Sequence, residues 1–441
     1  MFRRLLPMSL VLFLGSHAAS AGEPFNLAVR VDKLATMFTA LYGPQGLVVD
    51  SLTLLPSGDT HSAHFNSAFQ AEFTQFGTAL SSKLASVPLP SPASGFTYEF
   101  DPALGVFARS TQSFGPVLAE RAETIGGRRF SFGFTFQQFT FDTIEGQDLG
   151  NVLAVFTHDG FELRGGREDV VTTVNAIDAE VSQFTTFLTY GVTDRLDLSI
   201  AIPFVSADLT VVSDATIRRI GTSDESIHFF RELDGDVGDR RVFTAFGSAS
   251  GLGDVTLRLK GTVLKKGAAG LALGLDLRVP TGDEENLLGV GAPGVKPFVV
   301  WSTSYGPFSP HINAGYLWNG SSLLAGDPSS GKASHLPDQA FYVVGADIGV
   351  SSRFTLSFDV LGQYVFDSPR LVRQDFHALD GKSVFPNVTF REDSFNELSA
   401  AVGFKLNLVE DLLLDFNVLF NVDDNGLRDK VTPLIGLEYA F

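Results

Sequence analysis

The sequence has no cysteine among its 441 residues. Disulfides, thiolate metal clusters, a thiol nucleophile and a cysteine-linked lipid anchor are therefore excluded. Cationic residues are also scarce, with 32 Lys and Arg against 50 Asp and Glu and a net charge of −18. Binding to phosphate backbones needs clustered Lys and Arg, so nucleic acid is not a partner. Only 19% of residues are charged and mean hydropathy is +0.16, yet past the N-terminus no run of about 18 apolar residues occurs. A helical membrane protein is excluded on that ground.

Glycine and phenylalanine are abundant, at 44 and 41 residues. So many aromatic residues exclude a disordered chain, and apolar residues that do not form runs must alternate with polar ones. Residues 1–21 read as an export signal: Arg3 and Arg4 precede an apolar stretch over 5–14, and Ala19-Ser20-Ala21 offers a cleavage site. The mature chain would then begin at Gly22, outside the cytoplasm and without disulfides, so a large core or a closed sheet must hold it together.

The last residues carry the sharpest local pattern. From Val431 to Phe441 the odd positions are apolar or aromatic and the even ones mostly small or polar. A strand sends alternate residues to opposite faces, so one face suits lipid and the other a polar interior. A terminal strand of this kind, with Tyr439 and the final Phe441, resembles the assembly signal of outer-membrane β-barrels, which the barrel-assembly machinery recognises. The same alternation recurs upstream. Leu414, Phe416, Val418 and Phe420 oppose Asp415, Asn417 and Asn421, and Phe130, Phe132, Phe134 and Phe136 oppose Ser131, Thr135 and Gln137.

Twelve such segments fit between residues 129 and 441, an even number as single-chain bacterial barrels require, each long enough for a tilted strand to cross the hydrocarbon layer. Tight turns at 191–194, 266–268, 306–307, 351–352 and 409–410 alternate with long polar links at 142–167, 217–252, 282–293, 320–338 and 367–393, with a shorter one at 423–430. That asymmetry predicts short periplasmic turns and long outer loops. In the second and third strands the face parity slips near Ser182 and Phe204, which reads as bulges. The expected fold is an all-β transmembrane antiparallel barrel of twelve strands.

Residues 22–128 have a different texture. Phe65, Phe69, Phe73 and Phe76, followed by Leu80 and Leu84, recur at helical spacing ahead of Pro88, Pro90 and Pro92. They predict an amphipathic helix, and a short hairpin follows around Asp101-Pro102. This region could plug the barrel, cap it from below, or add two strands to make fourteen.

Parity places Asp254, Arg258, Lys260, Asp276 and Arg278 on the inner face of strands four and five. Asp347, Asp359, Glu397, Asp415 and Glu438, relieved by Lys405, line the opposite wall. These charges either set a transverse field that selects polar solutes or pair with one another and with the plug. Asp234, Asp236 and Asp239 lie in a Gly-rich acidic loop. Such spacing can wrap Ca²⁺ with oxygen ligands, although it lacks the distal Glu of an EF-hand and reads more simply as an acidic flexible loop. No other cofactor is called for. Catalysis finds little support: of the seven histidines after residue 21, only His311 is well inside a strand, and Asp375-Phe376-His377 stands alone in a polar loop.

Three runs, Tyr190-Gly191-Val192-Thr193-Asp194-Arg195-Leu196-Asp197, Gly251-Leu252-Gly253-Asp254-Val255 and Arg278-Val279-Pro280-Thr281-Gly282-Asp283, resemble recurrent segments of the outer-membrane family named after meta-pathway phenol degradation. That family is broadly similar to FadL-type channels for hydrophobic compounds. The resemblance implies a bacterial outer-membrane location and passage of small apolar or aromatic molecules. Together these readings predict a passive channel for small hydrophobic or aromatic molecules that is not an enzyme. Its contacts would be membrane lipid and lipopolysaccharide, and it would be a monomer by default. The alternative is a structural or surface-binding barrel with a closed lumen.

Overall fold

The computed structural model describes residues 26–43, 46–52, 63–66, 74–85, 95, 98–101, 106–109, 112–158, 168–221, 223–231 and 235–441. The export signal, Phe69, Phe73 and Asp234 lie outside them. Twelve strands form the wall: β1 (Phe130–Phe141), β2 (Val170–Thr193), β3 (Leu196–Arg218), β4 (Val255–Lys266), β5 (Ala269–Val279), β6 (Gly294–Ser302), β7 (Phe308–Asn319), β8 (Gln339–Ser351), β9 (Phe354–Arg373), β10 (Val388–Val409), β11 (Leu412–Asn421) and β12 (Val431–Ala440). Neighbours pair antiparallel throughout, and β12 returns to β1 in a register running from Leu434↔Gln137 to Ala440↔Ser131. The sheet is thus a closed twelve-stranded barrel without free edges, the arrangement that satisfies every backbone group in lipid. The hairpin Tyr98–Asp101 with Val106–Arg109 forms its own small sheet and adds no strand to the wall.

Aromatic side chains mark the two rims. Phe130 stacks with Phe441 at 5.7 Å and lies 4.7 Å from Tyr190 beside the short turns. At the other end Tyr316 meets Trp318 at 4.9 Å and Phe366 at 5.6 Å. Such girdles lie where headgroups meet hydrocarbon. Between them Leu188, Leu198, Leu257, Ile312, Val402 and Ile435 are exposed on the outer face.

Strands β2, β3, β9 and β10 are 20 to 24 residues long, about twice the 9–11 that a crossing needs. Their outer halves rise beyond the membrane, and segments expected to be polar loops join them as strands. The upper part of β2 pairs with Val152–His158, and the upper part of β3 pairs with Arg240–Leu252. The change of partner along β3 falls between Ala201↔Thr256 and Phe204↔Leu252, next to Pro203, which has no N–H to offer a ladder.

The parity slips at Ser182 and Phe204 are not bulges. Ser182 pairs with Ser206 and Phe184 with Phe204 in unbroken register, and odd-numbered residues point inward along both strands. What reverses is the surroundings. Below this row Phe184, Leu188, Leu198 and Ile202 face lipid while Thr185, Thr189 and Ser199 face a polar lumen; above it Asp178, Glu180 and Asp208 face water while Ile177, Val181, Leu209 and Val211 face a dry core. Phe136 of β1 sits in the same row, opposite Phe184, and beyond it Phe139 and Phe141 turn inward.

That dry core is completed by the N-terminal region. Asn26–Arg30 adds in parallel to Arg240–Leu252, and helix α1 (Met37–Tyr42), the strands Leu47–Val49 and Ala63–Asn66, and helix α2 (Thr74–Ala85) pack inside the raised wall. Met37, Leu41, Leu47, Phe65, Phe76 and Leu80 are buried there, each contributing about 1.5–3 kcal/mol. Phe65, expected on the helix with Phe76, lies instead on a strand opposite His158, and the helix begins at Thr74. Edge contacts with the rings of His158 and His228, at 5.4 and 5.2 Å, hold Phe65 in that place.

Candidate functional site

The membrane-embedded lumen lies between this apolar cap and a second closure below it. Residues 112–129 carry no regular secondary structure and cross the lumen as a strap before entering β1. An irregular backbone away from water needs partners for its N–H and C=O groups, and inward side chains of the wall supply them. Phe114 N donates to Thr355 Oγ1 at 2.9 Å, Ala122 N to Ser302 Oγ at 2.9 Å, Ile125 N to Asp197 Oδ2 at 3.1 Å and Gly127 N to Asp194 Oδ1 at 2.9 Å. Glu120 N donates to Asn313 Oδ1 at 2.7 Å, and Asn313 Nδ2 donates back to Glu120 O at 3.0 Å. Where the strap leaves the lumen, a Cβ on Gly191 would meet Gly126 O at 1.8 Å; only glycine admits that approach.

The inward charges are largely paired. Arg258 Nε lies 2.6 Å from Asp276, its register partner across β4 and β5, and Arg258 also bonds Glu120 of the strap. Lys260 Nζ donates to Glu120 Oε2 at 2.9 Å. The carboxylate of Asp254 accepts from Gly282 N at 3.0 Å and Val290 N at 2.8 Å, fixing the turn after β5, with Arg278 4.0 Å away. On the opposite wall His311 Nε2 bonds Asp359 at 2.6 Å and its Nδ1 lies 3.5 Å from Asp347, which in turn takes the hydroxyl of Ser113 from the strap. Lys405 lies 3.7 Å from Asp415 and 3.9 Å from Glu438. Glu397 receives Lys83 of α2 at 2.6 Å and Arg428 at 3.0 Å.

The C-terminus of α2 points into this lumen. Gln339 Nε2 donates to Ser82 O at 3.0 Å and Arg278 NH1 to Ala85 O at 3.2 Å. A cation at the carbonyl end of a helix complements its dipole. Between this end and Leu118 and Glu120 of the strap lies a chamber of about 180 Å³. Phe298, Leu317, Phe341 and Val343 give it apolar walls, and Arg258, Asp276, Arg278, Lys296, Glu397 and Arg428 give it polar ones.

The model of the family described as "Putative MetA-pathway of phenol degradation" matches residues 159–426, more than half of the sequence. The chain belongs to this family. No curated protein matches it. Among solved structures, the COG4313 outer membrane channel from Pseudomonas putida F1 is similar at 14% identity and a TM-score of 0.45, over 74% of this chain and all of that one. The TodX monoaromatic hydrocarbon channel gives 10% identity and 0.35 over 82% of this chain and 99% of that one, and a Pseudomonas aeruginosa FadL homologue gives 11% and 0.31 over 79% and 94%.

In this member of the phenol-degradation family, the charged residues expected on the inner face are buried in the wall, and they do not form one constellation. They divide into five groups, around Asp254, Asp276, His311, Lys405 and Glu397. The sequence reading missed Glu120, Lys296, Lys83 and Arg428. Lys296 is on the inner face of β6, but Phe298 and Val300 share that face, so the strand is apolar on both sides and its alternation is hidden. Of the acidic loop, Asp234 lies outside the described residues and Asp239 is 2.6 Å from Arg219; among the described residues no group of three or more candidate ligands occurs. Phe441 closes the barrel, exchanging backbone hydrogen bonds of 2.9 Å with Phe130, while Tyr439 stacks on Phe441 at 5.9 Å.

Proposed function

We propose that this protein is a passive outer-membrane channel that takes up small hydrophobic or aromatic molecules one at a time. The observation that carries the reading is the mid-lumen chamber, which lies between the C-terminal end of α2 in the cap and the strap. A cavity of ~150 Å³ with apolar walls holds one benzene, and about 180 Å³ between Phe298 and Phe341 is matched to a single substituted ring. In this reading a solute enters where the apolar cap loosens, rests in the chamber, and leaves when the polar strap shifts. Its gradient drives the passage, no bond is made or broken, and the two closures prevent a continuous column of water. Tyr439 and Phe441 serve assembly, and lipid and lipopolysaccharide contact the outer face and rim.

The packed cap and the buried strap also suit a second reading, a structural or surface-binding barrel whose lumen never opens. Equilibrium binding of labelled toluene to the folded, detergent-solubilised protein separates the two. The channel reading predicts about one ring bound per chain, abolished by Val343→Trp, which fills the chamber. Absence of binding by the wild type, of toluene and of its carboxylate analogue benzoate alike, would leave the structural reading.

A further inference from the structure

The chamber is unevenly supplied with hydrogen-bond donors. Arg278 has five N–H groups and uses three of them, on Ala292 O at 3.1 Å, Ala85 O at 3.2 Å and Asn319 Oδ1 at 2.6 Å. Lys296 has three donors and one acceptor, Asp276 at 3.1 Å. Asp276 is already shared with Arg258, which holds it at 2.6 and 2.8 Å. Among the described residues, neither cation finds partners for all of its N–H groups, and both line the chamber. Their placement favours one guest. Lys296 is the register partner of Asp276 and Arg278 that of Gly294, so the two are diagonal neighbours across β5 and β6, within joint reach of a single carboxylate. Beside them are aromatic faces: Lys296 Nζ lies 4.8 Å from the centre of Phe341, and the Arg258 guanidinium 5.2 Å from the centre of Phe298.

We propose that the chamber is a binding site for a one-ring aromatic carboxylate, whose oxygens take the spare donors of Lys296 and Arg278 while its ring lies against Phe341 and Phe298. This inference rests on the uptake reading above and narrows its solute class from neutral hydrocarbons to aromatic acids. Arg278 is nearly buried and Lys296 partly so. A carboxylate seated here gives up water but regains charge-assisted hydrogen bonds, whereas a neutral arene offers these donors no acceptor. A benzylic ammonium would add a third cation beside Lys296 and Arg278.

The test compares benzoate, toluene and benzylammonium in equilibrium binding to the folded protein, with Lys296→Met and Lys296→Arg as variants. The expected result is benzoate at least about tenfold tighter than toluene and no saturable binding of benzylammonium. Lys296→Met weakens benzoate by about tenfold or more, the loss of one charge-assisted contact, and leaves toluene unchanged; Lys296→Arg retains benzoate. Arg278→Gln, read in the same way, supplies the answer if Lys296→Met does not fold. Toluene binding equal to or tighter than benzoate, or benzoate binding indifferent to these substitutions, overturns the aromatic-acid inference alone. Failure of all three probes on the wild type overturns the uptake reading with it.

Discussion

Phe184 of β2 lies directly opposite Phe204 of β3, and on its other side it faces Phe136 of β1. The next outward positions above these three rings are Gln138, Ser182 and Ser206, followed by Thr140, Glu180 and Asp208, with Val174 the exposed apolar residue higher on β2. Below the rings the barrel is a membrane protein, apolar outside and polar within; above them the same strands, in the same register, build a domain that is polar outside and apolar within. The stretches Leu196 to Phe204 and Phe184 to Thr193 match the 9–11 residues of a tilted crossing, so this row marks the outer surface of the hydrocarbon.

Arginine substitutions test that boundary. Leu188→Arg, on the lipid face below the row, should cost about 2–4 kcal/mol near mid-membrane. Thr210→Arg, which points outward above it, should cost under about 0.5 kcal/mol, as an ordinary surface change does. Urea unfolding of the protein in lipid vesicles gives both values, and equal costs would remove the boundary.

Glu120 ties the strap to Arg258 and Lys260 at once. Removing one partner of a buried ion pair typically costs about 3–5 kcal/mol, so Glu120→Ala should release the strap more readily than it unfolds the barrel. In planar bilayers the wild type should pass little steady current and the variant clearly more. A wild-type conductance like that of an open, water-filled pore would show that the strap does not seal the lumen.

Tyr42 anchors α1 in the cap, with its hydroxyl 2.7 Å from Ser213 Oγ and 3.2 Å from Asn175 Oδ1. Tyr42→Phe should destabilise the cap by about 1 kcal/mol. Burial raises the phenol above its ordinary value near 10. Because the folded state resists ionisation more than the unfolded state does, the cap keeps its full stability below pH 10 and loses it progressively as pH rises beyond. Protease sensitivity of residues 26–85 should therefore increase above pH 10 in the wild type and much less in Tyr42→Phe.

The twelve crossings were legible because lipid outside and polar groups inside impose a two-residue period, as in Leu414 against Asp415 and Ile435 against Gly436. The raised outer wall was not. Ser248, within the link at 217–252, looks like loop chemistry when the outer face is assumed to be lipid and becomes strand chemistry once that face is water, while Asp208 and Thr210, inside the third strand, showed there only as a slip of parity. The inner placement of Arg258, Asp276 and Glu438 followed from the same parity. Their partners did not, since Glu120 and Ser113 belong to a strap with no periodicity and Lys83 to a helix 314 residues away from Glu397 in sequence. Those contacts depend on how the N-terminal region threads the barrel, and no local pattern encodes that path.

The central claim is that solutes cross through the chamber between cap and strap. Its most direct test is the rate at which ring-labelled toluene and benzoate enter vesicles with a lipopolysaccharide outer leaflet, carrying the wild type, Val343→Trp, or no protein. The account predicts faster entry with the wild type for at least one of the two solutes, returning to the protein-free rate with Val343→Trp while that variant remains fully folded. Entry with the wild type no faster than without protein, or undiminished by filling the chamber, would contradict it.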